Sequence, residues 1–286
     1  MPTVVITGAN GFVGSYLAKQ FHASGWNVVA LQRYKAVPYQ TITFVDFEIG
    51  KPINEALLPP INLLIHCAWQ PYNKSNPNAA ELNLQSVKYL QQLAHKTGAK
   101  FVFLSTLSAH DASISEYGKT KHWAETLLDY NLDLTLKLGL VIGSSGGFIK
   151  KVGSIIKRFK FIPVIDNGQQ QIQVLYIEDL FKVLLKSYEK RLCGNFAVAE
   201  TGSQTTIALY KKMAKHLNCN PIFVNIPYGL MYRAMLVAEK LLPLPVTTEN
   251  LKGMKQFRAF STIAIQQLLE ISLTNADSAI EKAIKK

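Results

Sequence analysis

Tyr117 and Lys121 stand four residues apart in Tyr117-Gly118-Lys119-Thr120-Lys121, so on a helix the phenol and the ammonium share one face. A phenol with an ordinary pKa near ~10 is a poor base at neutral pH. A cation beside it stabilises the phenolate and lowers that value, which turns the pair into a proton donor and acceptor. Upstream, Thr7-Gly8-Ala9-Asn10-Gly11-Phe12-Val13-Gly14 carries glycines at a three-residue spacing. Gly8 permits a tight turn, Gly11 a close approach to a pyrophosphate, and Gly14 the packing of a helix on a strand. The free N–H groups and positive dipole of the following helix complete an anion cradle. Ser105 and Thr106 end the apolar run Phe101-Val102-Phe103-Leu104. A hydroxyl at a strand end caps a turn or orients a bound oxygen.

These groups act together only if regular elements bring them to one place. Apolar runs at Thr3–Thr7, Asn27–Leu31, Ile42–Phe47, Asn62–Cys67, Lys100–Ser105 and Asp133–Leu138 read as strands. Amphipathic patterns at about 11–24, 79–97 and 116–130 read as helices between them. The alternation predicts an α/β chain, a Rossmann-type doubly wound parallel sheet with helices on both faces. The glycine turn then lies on the first strand-to-helix connection, and Tyr117 opens the helix after the fifth strand. From Gly143 onward the pattern is irregular and helical, punctuated by Pro163, Pro221, Pro227, Pro243 and Pro245. The expected division is 1–142, a dinucleotide-binding core, and 143–286, a smaller, mostly helical substrate lobe packed on that core and partly completing it.

Composition narrows the classes. The 286 residues are 48% apolar and 17% charged, below the roughly 25% of ordinary soluble domains, which excludes a disordered polyelectrolyte. Cys67, Cys193 and Cys219 are odd in number, widely spaced and without CxxC. They form neither a disulfide framework nor a zinc ribbon, so no metal is expected, and they suit a reducing, cytoplasmic setting. The opening MPTVVITGANGFVG lacks a basic n-region and does not read as a secretory signal. The late apolar stretch from Ile226 to Val246 is too interrupted by charge and proline to span a bilayer. Residues 1–142 carry a net charge of +2 and residues 143–286 one of +10. Such an excess serves nucleic acid, an anionic membrane face or a phosphorylated small molecule, and no nucleic-acid module accompanies it. Leu230, Ala234, Val237, Ala238 and Leu241 fall on one helix face with Met231 and Met235 alongside. That stripe reads as core or homodimer packing ahead of membrane contact.

The spacing GxxGxxG in TGANGFVG resembles the short-chain dehydrogenase/reductase superfamily, in particular its extended branch of nucleotide-sugar epimerases, dehydratases and reductases. The resemblance runs through nearly the whole chain, more specifically in the first half. It implies hydride transfer at a secondary alcohol or ketone carbon, with Tyr117 as acid and base, Lys121 as its activator and ribose holder, and Thr106, ahead of Ser105, orienting the substrate oxygen. It implies cofactor contacts at Gly8, Asn10, Gly11, Phe12, Val13 and Gly14, at the pair Asp46-Phe47, and at Cys67-Ala68 after His66. Asn83 matches a helix asparagine linked to the active site, and Val141 matches the segment facing the nicotinamide. Where NAD binders place an acid after the second strand, this chain has Gln32 and Arg33. A guanidinium there attracts a 2′-phosphate, so NADP(H) is expected ahead of NAD(H).

Asp166-Asn167-Gly168 and Val174-Leu175-Tyr176-Ile177-Glu178-Asp179-Leu180 resemble the family's late turn and its HVDDL-like join. Ile172 and Gln173 stand where relatives carry a diphosphate-binding arginine, and the loop from Thr106 to Tyr117 is short. Lys150, Lys151, Lys157, Arg158 and Lys160 are the remaining cations for a nucleotide-sugar diphosphate. The same fold would also serve a non-catalytic NADP(H)-binding redox sensor or assembly protein, against which the retained Tyr117 and Lys121 weigh. A third reading is a membrane-surface enzyme acting on a lipid-linked sugar.

Overall fold

The computed structural model describes residues 1–33, 41–72, 76–144, 146–241 and 247–285. In chain order the first elements are β1 (Thr3–Thr7), α1 (Phe12–Ala23), β2 (Asn27–Gln32), β3 (Thr43–Asp46), β4 (Leu63–His66), α2 (Ala79–Thr97), β5 (Lys100–Thr106), α3 (Glu116–Glu125) and β6 (Leu134–Leu138). Next come β7 (Leu140–Gly143), α4 (Gly147–Arg158), β8 (Phe161–Ile165), β9 (Gln171–Ile172), β10 (Val174–Tyr176), α5 (Ile177–Glu189) and β11 (Gly194–Val198). The chain closes with β12 (Gln204–Thr205), α6 (Thr206–His216), β13 (Ile222–Ile226), α7 (Tyr228–Leu241), α8 (Thr248–Lys255), α9 (Ile263–Leu269) and α10 (Ala276–Lys285).

Seven strands form one sheet in the order β11-β6-β5-β4-β1-β2-β3. The pairs β1–β2, β2–β3, β1–β4 and β4–β5 are parallel, as helical crossovers demand. Strands β1 and β4 are buried along their whole length, which explains why Thr-Val-Val-Ile-Thr and Leu-Leu-Ile-His read as runs rather than alternations. The order reverses between β1 and β4, so the carboxyl ends of these strands flank the switch point where such sheets bind ligands. Six strands are expected from the sequence. The seventh, β11, sits in the half read as helical, as do the parallel pair β8–β13 and the antiparallel pair β9–β12, while β7, at the boundary, pairs in parallel with β10 beyond it.

The described chain forms two compact units, neither of them continuous. The first holds Met1–Ala109, Thr120–Lys137 and Phe181–Phe196; the second holds His110–Lys119, Leu138–Leu180 and Ala197–Lys286. Against the division drawn at 142/143, three stretches cross: Phe181–Phe196 returns to the first unit, and His110–Lys119 and residues 138–142 belong to the second. The second unit is no smaller than the first. The first unit packs Val5, Val29, Leu31, Leu64, Phe101 and Phe103 in its core, and the second packs Ile149, Ile156, Ile162, Leu209, Met213 and Ile280.

Helix α3 ends at Glu125, short of the expected 130. Its last turn tightens to i,i+3 bonds, from the Thr126 N–H to Trp123 O and from the Leu127 N–H to Ala124 O, and the Thr126 hydroxyl also donates to Trp123 O. Beyond it, fully buried Asp133 holds the start of β6. Its carboxylate accepts from Gln91 Nε2 at 2.5 Å, His95 Nε2 at 2.7 Å and the Asp129 N–H at 2.9 Å. Asp133→Ala leaves these donors unpaired and should lower the unfolding free energy by about 2–4 kcal/mol. Urea unfolding measures this, and an unchanged midpoint would contradict the assignment.

Candidate functional site

The glycine turn is built by close approach. Gly8 has φ +65°, and a Cβ there would lie 2.9 Å from Ala68 Cα. At Gly14 a Cβ would lie 2.3 Å from the Gly8 carbonyl oxygen. No side chain occupies either place without moving backbone. The Gly8 N–H donates to Leu31 O and the Gly11 N–H to Gly8 O, each at 2.8 Å. Gly11 caps α1 without a side-chain bond and no acid stands in the first turn. The leading N–H groups, those of Phe12, Val13 and Gly14, and the positive end of the helix are therefore presented without a competing carboxylate. Asn10 and Gly11 are exposed beside them.

Thr7 ties this turn to the end of β4. Its hydroxyl accepts from the Cys67 and Ala68 N–H groups, each at 3.0 Å, and so donates to His66 Nδ1 at 2.7 Å. The proton of His66 therefore sits on Nε2, which is buried and without a partner. Burial, then the charge of Lys121, pushes the imidazole down to about 3, so it stays neutral. Burial likewise pushes the Cys67 thiol up to about 12, with Lys121 opposing. Cys67 is a protonated thiol rather than a nucleophile.

Lys121 is itself buried. Its Nζ donates to Leu104 O at 2.6 Å and lies 3.9 Å from the Trp69 ring centroid and 4.3 Å from that of Phe103. The carbonyl and the two π faces favour the cation. Burial disfavours it and dominates, holding the ammonium down to about 7. Trp69 is not among the residues expected from the sequence, although its place after His66-Cys67-Ala68 signals it.

The other first-unit candidates differ in what they offer. Arg33 is exposed just past β2, and Gln32, in register with Asp46, is buried. Asp46 is exposed, whereas the Phe47 side chain belongs to the core and can meet a ligand only through its backbone. Asn83 is buried on α2, where its amide accepts from the Gln70 N–H at 2.9 Å and donates to Gln70 O at 2.8 Å. Its part is to fix the segment after β4. Ser105 Oγ donates to Glu125 Oε1 at 2.5 Å, and Lys137 Nζ reaches Oε2 of the same carboxylate at 2.9 Å. That leaves Thr106, half-buried at the end of β5, as the hydroxyl open to a ligand; its Oγ1 accepts from the Ser108 N–H.

In the second unit, Tyr117 is 43% exposed, one turn before Lys121 on α3. Its helix start is held by the Glu116 N–H to Glu249 Oε2 and the Gly118 N–H to Ser115 Oγ. Val141 is half-buried on β7. Gln173 is buried: Nε2 donates to Glu200 O and Phe260 O, and Oε1 accepts from the Phe260 N–H. It serves the packing of this unit and not a diphosphate. Lys150, Lys151, Lys157, Arg158 and Lys160 are all exposed. Among the described residues no three His, Cys, Asp or Glu gather as metal ligands.

The profile of the NAD dependent epimerase/dehydratase family matches residues 4–196. The chain belongs to that family. As a family member it is 23% identical over 255 residues to UDP-glucuronic acid decarboxylase 4 of Arabidopsis thaliana, covering 76% of this chain and 58% of that protein. It thus spans little more than half of that relative's length. It is 21% identical over 278 residues to the mitochondrial NADH dehydrogenase [ubiquinone] 1 alpha subcomplex subunit 9 of the same plant, covering 90% and 69%. Among solved structures it shares the fold of MoeE5 in complex with UDP-glucose and NAD, with a TM-score of 0.75, 19% identity, and 99% and 97% of the two chains covered. The turn at Gly8 and Gly14, where a Cβ would strike backbone, leaves the first N–H groups of α1 open and fits the diphosphate of the dinucleotide from which the family takes its name.

The lowered Lys121 value has a consequence for stability. Unfolded, the amine holds its proton up to its ordinary value of 10.5; folded, it releases it near 7. Between these values the unfolded chain binds more protons, so stability rises with pH. Lys121→Met removes the buried charge and should raise the melting temperature at pH 7, an advantage that shrinks toward pH 10. Calorimetry across that range checks it, and a pH-independent difference would contradict the burial of a titrating lysine.

Proposed function

We propose that the chain is an NAD(P)-dependent enzyme that moves a hydride at a secondary alcohol or ketone carbon of a nucleotide sugar. One observation carries the reading: Lys121, buried and held by Leu104 O, stands one helical turn from Tyr117 on the helix that follows β5. In oxidation the carbinol carbon gives up a hydride and its hydroxyl proton passes to the Tyr117 oxygen; in reduction both return. The bound nicotinamide supplies the hydride acceptor or donor. Lys121 in its charged form steadies the phenolate and holds the ribose, and Thr106 orients the substrate oxygen. The glycine turn takes the diphosphate, with Asn10, Phe12 and Val13 beside it, while Ala68, Cys67 and Val141 border the cofactor. An epimerase returns the hydride to the opposite face and a reductase releases the oxidised cofactor, and these residues serve both.

The nucleotide-sugar substrate is supported by the names of the relatives, a UDP-glucuronic acid decarboxylase and a protein complexed with UDP-glucose and NAD. The family description supports NAD(H), and exposed Arg33 supports NADP(H). Three free thiols suit a reducing cytoplasm. A second reading, a non-catalytic NADP(H)-binding subunit, is favoured by the relative of 90% coverage, which is named as a subunit of a larger enzyme.

Tyr117→Phe keeps the ring and removes the exchangeable proton. Turnover in a screen of 4-keto and 4-hydroxy nucleotide sugars should fall at least ~10²-fold, with cofactor affinity little changed. Undiminished turnover would remove Tyr117 from catalysis, and absence of turnover in the unmodified protein would favour the subunit reading. Arg33→Ala should weaken NADPH binding and leave NADH binding nearly unchanged, since of the two cofactors only NADPH carries a 2′-phosphate for that charge. Fluorescence titration measures both, and tighter NADH than NADPH binding by the unmodified protein would contradict the assignment.

A further inference from the structure

Strands β8 and β13 form a two-stranded parallel sheet in which Phe161 pairs with Ile222 and Pro163 with Val224. Paired residues on parallel strands point to one side, and the residues between them to the other. Ile162, Val164 and Phe223 face the core of the second unit. The outward set is apolar as well: Phe161 is 60% exposed, Ile222 58% and Val224 41%. A strand pair with one buried face ordinarily turns polar residues outward. Four apolar residues in register, Pro163 included, form a patch rather than scattered exposure.

Cations frame that patch. Lys157-Arg158-Phe159-Lys160, which leads into β8, is exposed at every position, and the Arg158 guanidinium lies 5.6 Å from the Phe159 ring centroid. An open depression of about 500 Å³ is lined by Lys211, Lys215, Asn218 and Asn220, and by Pro221 and Phe223, the chain neighbours of Ile222. Helix α7, joined to β13 through Pro227, carries Leu230, Val237 and Leu241, all exposed, and none of its described side chains is buried.

We propose that this face docks on the anionic surface of a lipid bilayer. Phe159, Phe161, Ile222 and Val224 enter the boundary between headgroups and acyl chains, and Lys157, Arg158 and Lys160 meet the anionic headgroups. The charge selects the occupant. Residues 143–286 carry a net +10 against +2 for the rest. A second copy in a two-fold contact would set the same cations against one another. A nucleic acid would find aliphatic Ile222, Val224 and Pro163 over most of the patch, with stacking open to it only at Phe159 and Phe161. No described helix is long and apolar enough to cross the membrane, so the contact is with its surface.

Co-sedimentation of the whole protein with vesicles tests this, using phosphatidylcholine with and without phosphatidylserine. Binding should require phosphatidylserine and fade as salt is raised. The combined exposed substitutions Phe159→Ser, Phe161→Ser and Ile222→Ser should weaken it about tenfold or more. Lys157→Glu, Arg158→Glu and Lys160→Glu together should weaken it on the order of a hundredfold. Circular dichroism checks that both variants fold, and the charge reversal and salt series decide if the apolar variant does not. Absence of phosphatidylserine-dependent binding, or full binding by the charge-reversed protein, overturns the proposal. So does a concentration-dependent dimer, or capture of a single-stranded oligonucleotide, that the same substitutions abolish.

Discussion

Where β1 runs into α1, the chain passes so close to the segment following β4 that Gly8 has no room for a Cβ against Ala68 Cα, 2.9 Å away. The Thr7 hydroxyl closes the same junction from below, accepting two N–H groups from Cys67-Ala68 and donating to His66. Strands β1 and β4 flank the reversal of strand order, so this contact fixes the mouth of the sheet at the place where its carboxyl ends diverge. Other features of the first unit hang from it. Asn83 holds Gln70 two residues beyond Ala68, and Trp69 between them forms one wall for Lys121.

Electrostatics at this corner follow from burial more than from pairing. His66 and Cys67 stay neutral because the charged forms find no solvent, and Lys121 adds to the cost of a second cation. Lys121 is the exception: it has a carbonyl and two rings to favour its charge, and burial still holds its value near 7. A group poised there responds to whatever anion binds beside it, since a diphosphate or a phenolate restores the charged form. The Glu125 carboxylate is already engaged by Ser105 and Lys137, which keeps that ion pair as structural support for β5 and β6.

The parts of this fold that rest on backbone constraint are legible in the sequence. Gly8 and Gly14 declare a turn because no side chain fits there without moving backbone. Helix α2 runs over Ala79–Thr97, as its periodicity predicts, and Gly98, at φ +68°, ends it in the left-handed conformation. What escapes are choices made by tertiary partners. Nothing local distinguishes Ser105, which bonds to Glu125, from Thr106, which remains at the strand end. Phe47 reads as a ligand-facing aromatic until the core claims it, and Gln173 reads as a lost arginine until Phe260 and Glu200 occupy its amide. β11 is hidden because its five residues lie in a stretch of chain otherwise dominated by helices, and only its sheet neighbour β6 makes it a strand.

If the corner made by Thr7, Gly8 and Ala68 holds a dinucleotide, obstructing it must abolish binding. Native mass spectrometry of the whole protein titrated with NADH or NADPH tests it most directly, with Gly14→Leu as the comparison, because that side chain fills the space against Gly8 O. One dinucleotide per chain is expected in the unmodified protein and none in a folded Gly14→Leu protein. Equal occupancy in both, or no adduct in either at saturating cofactor, would contradict it.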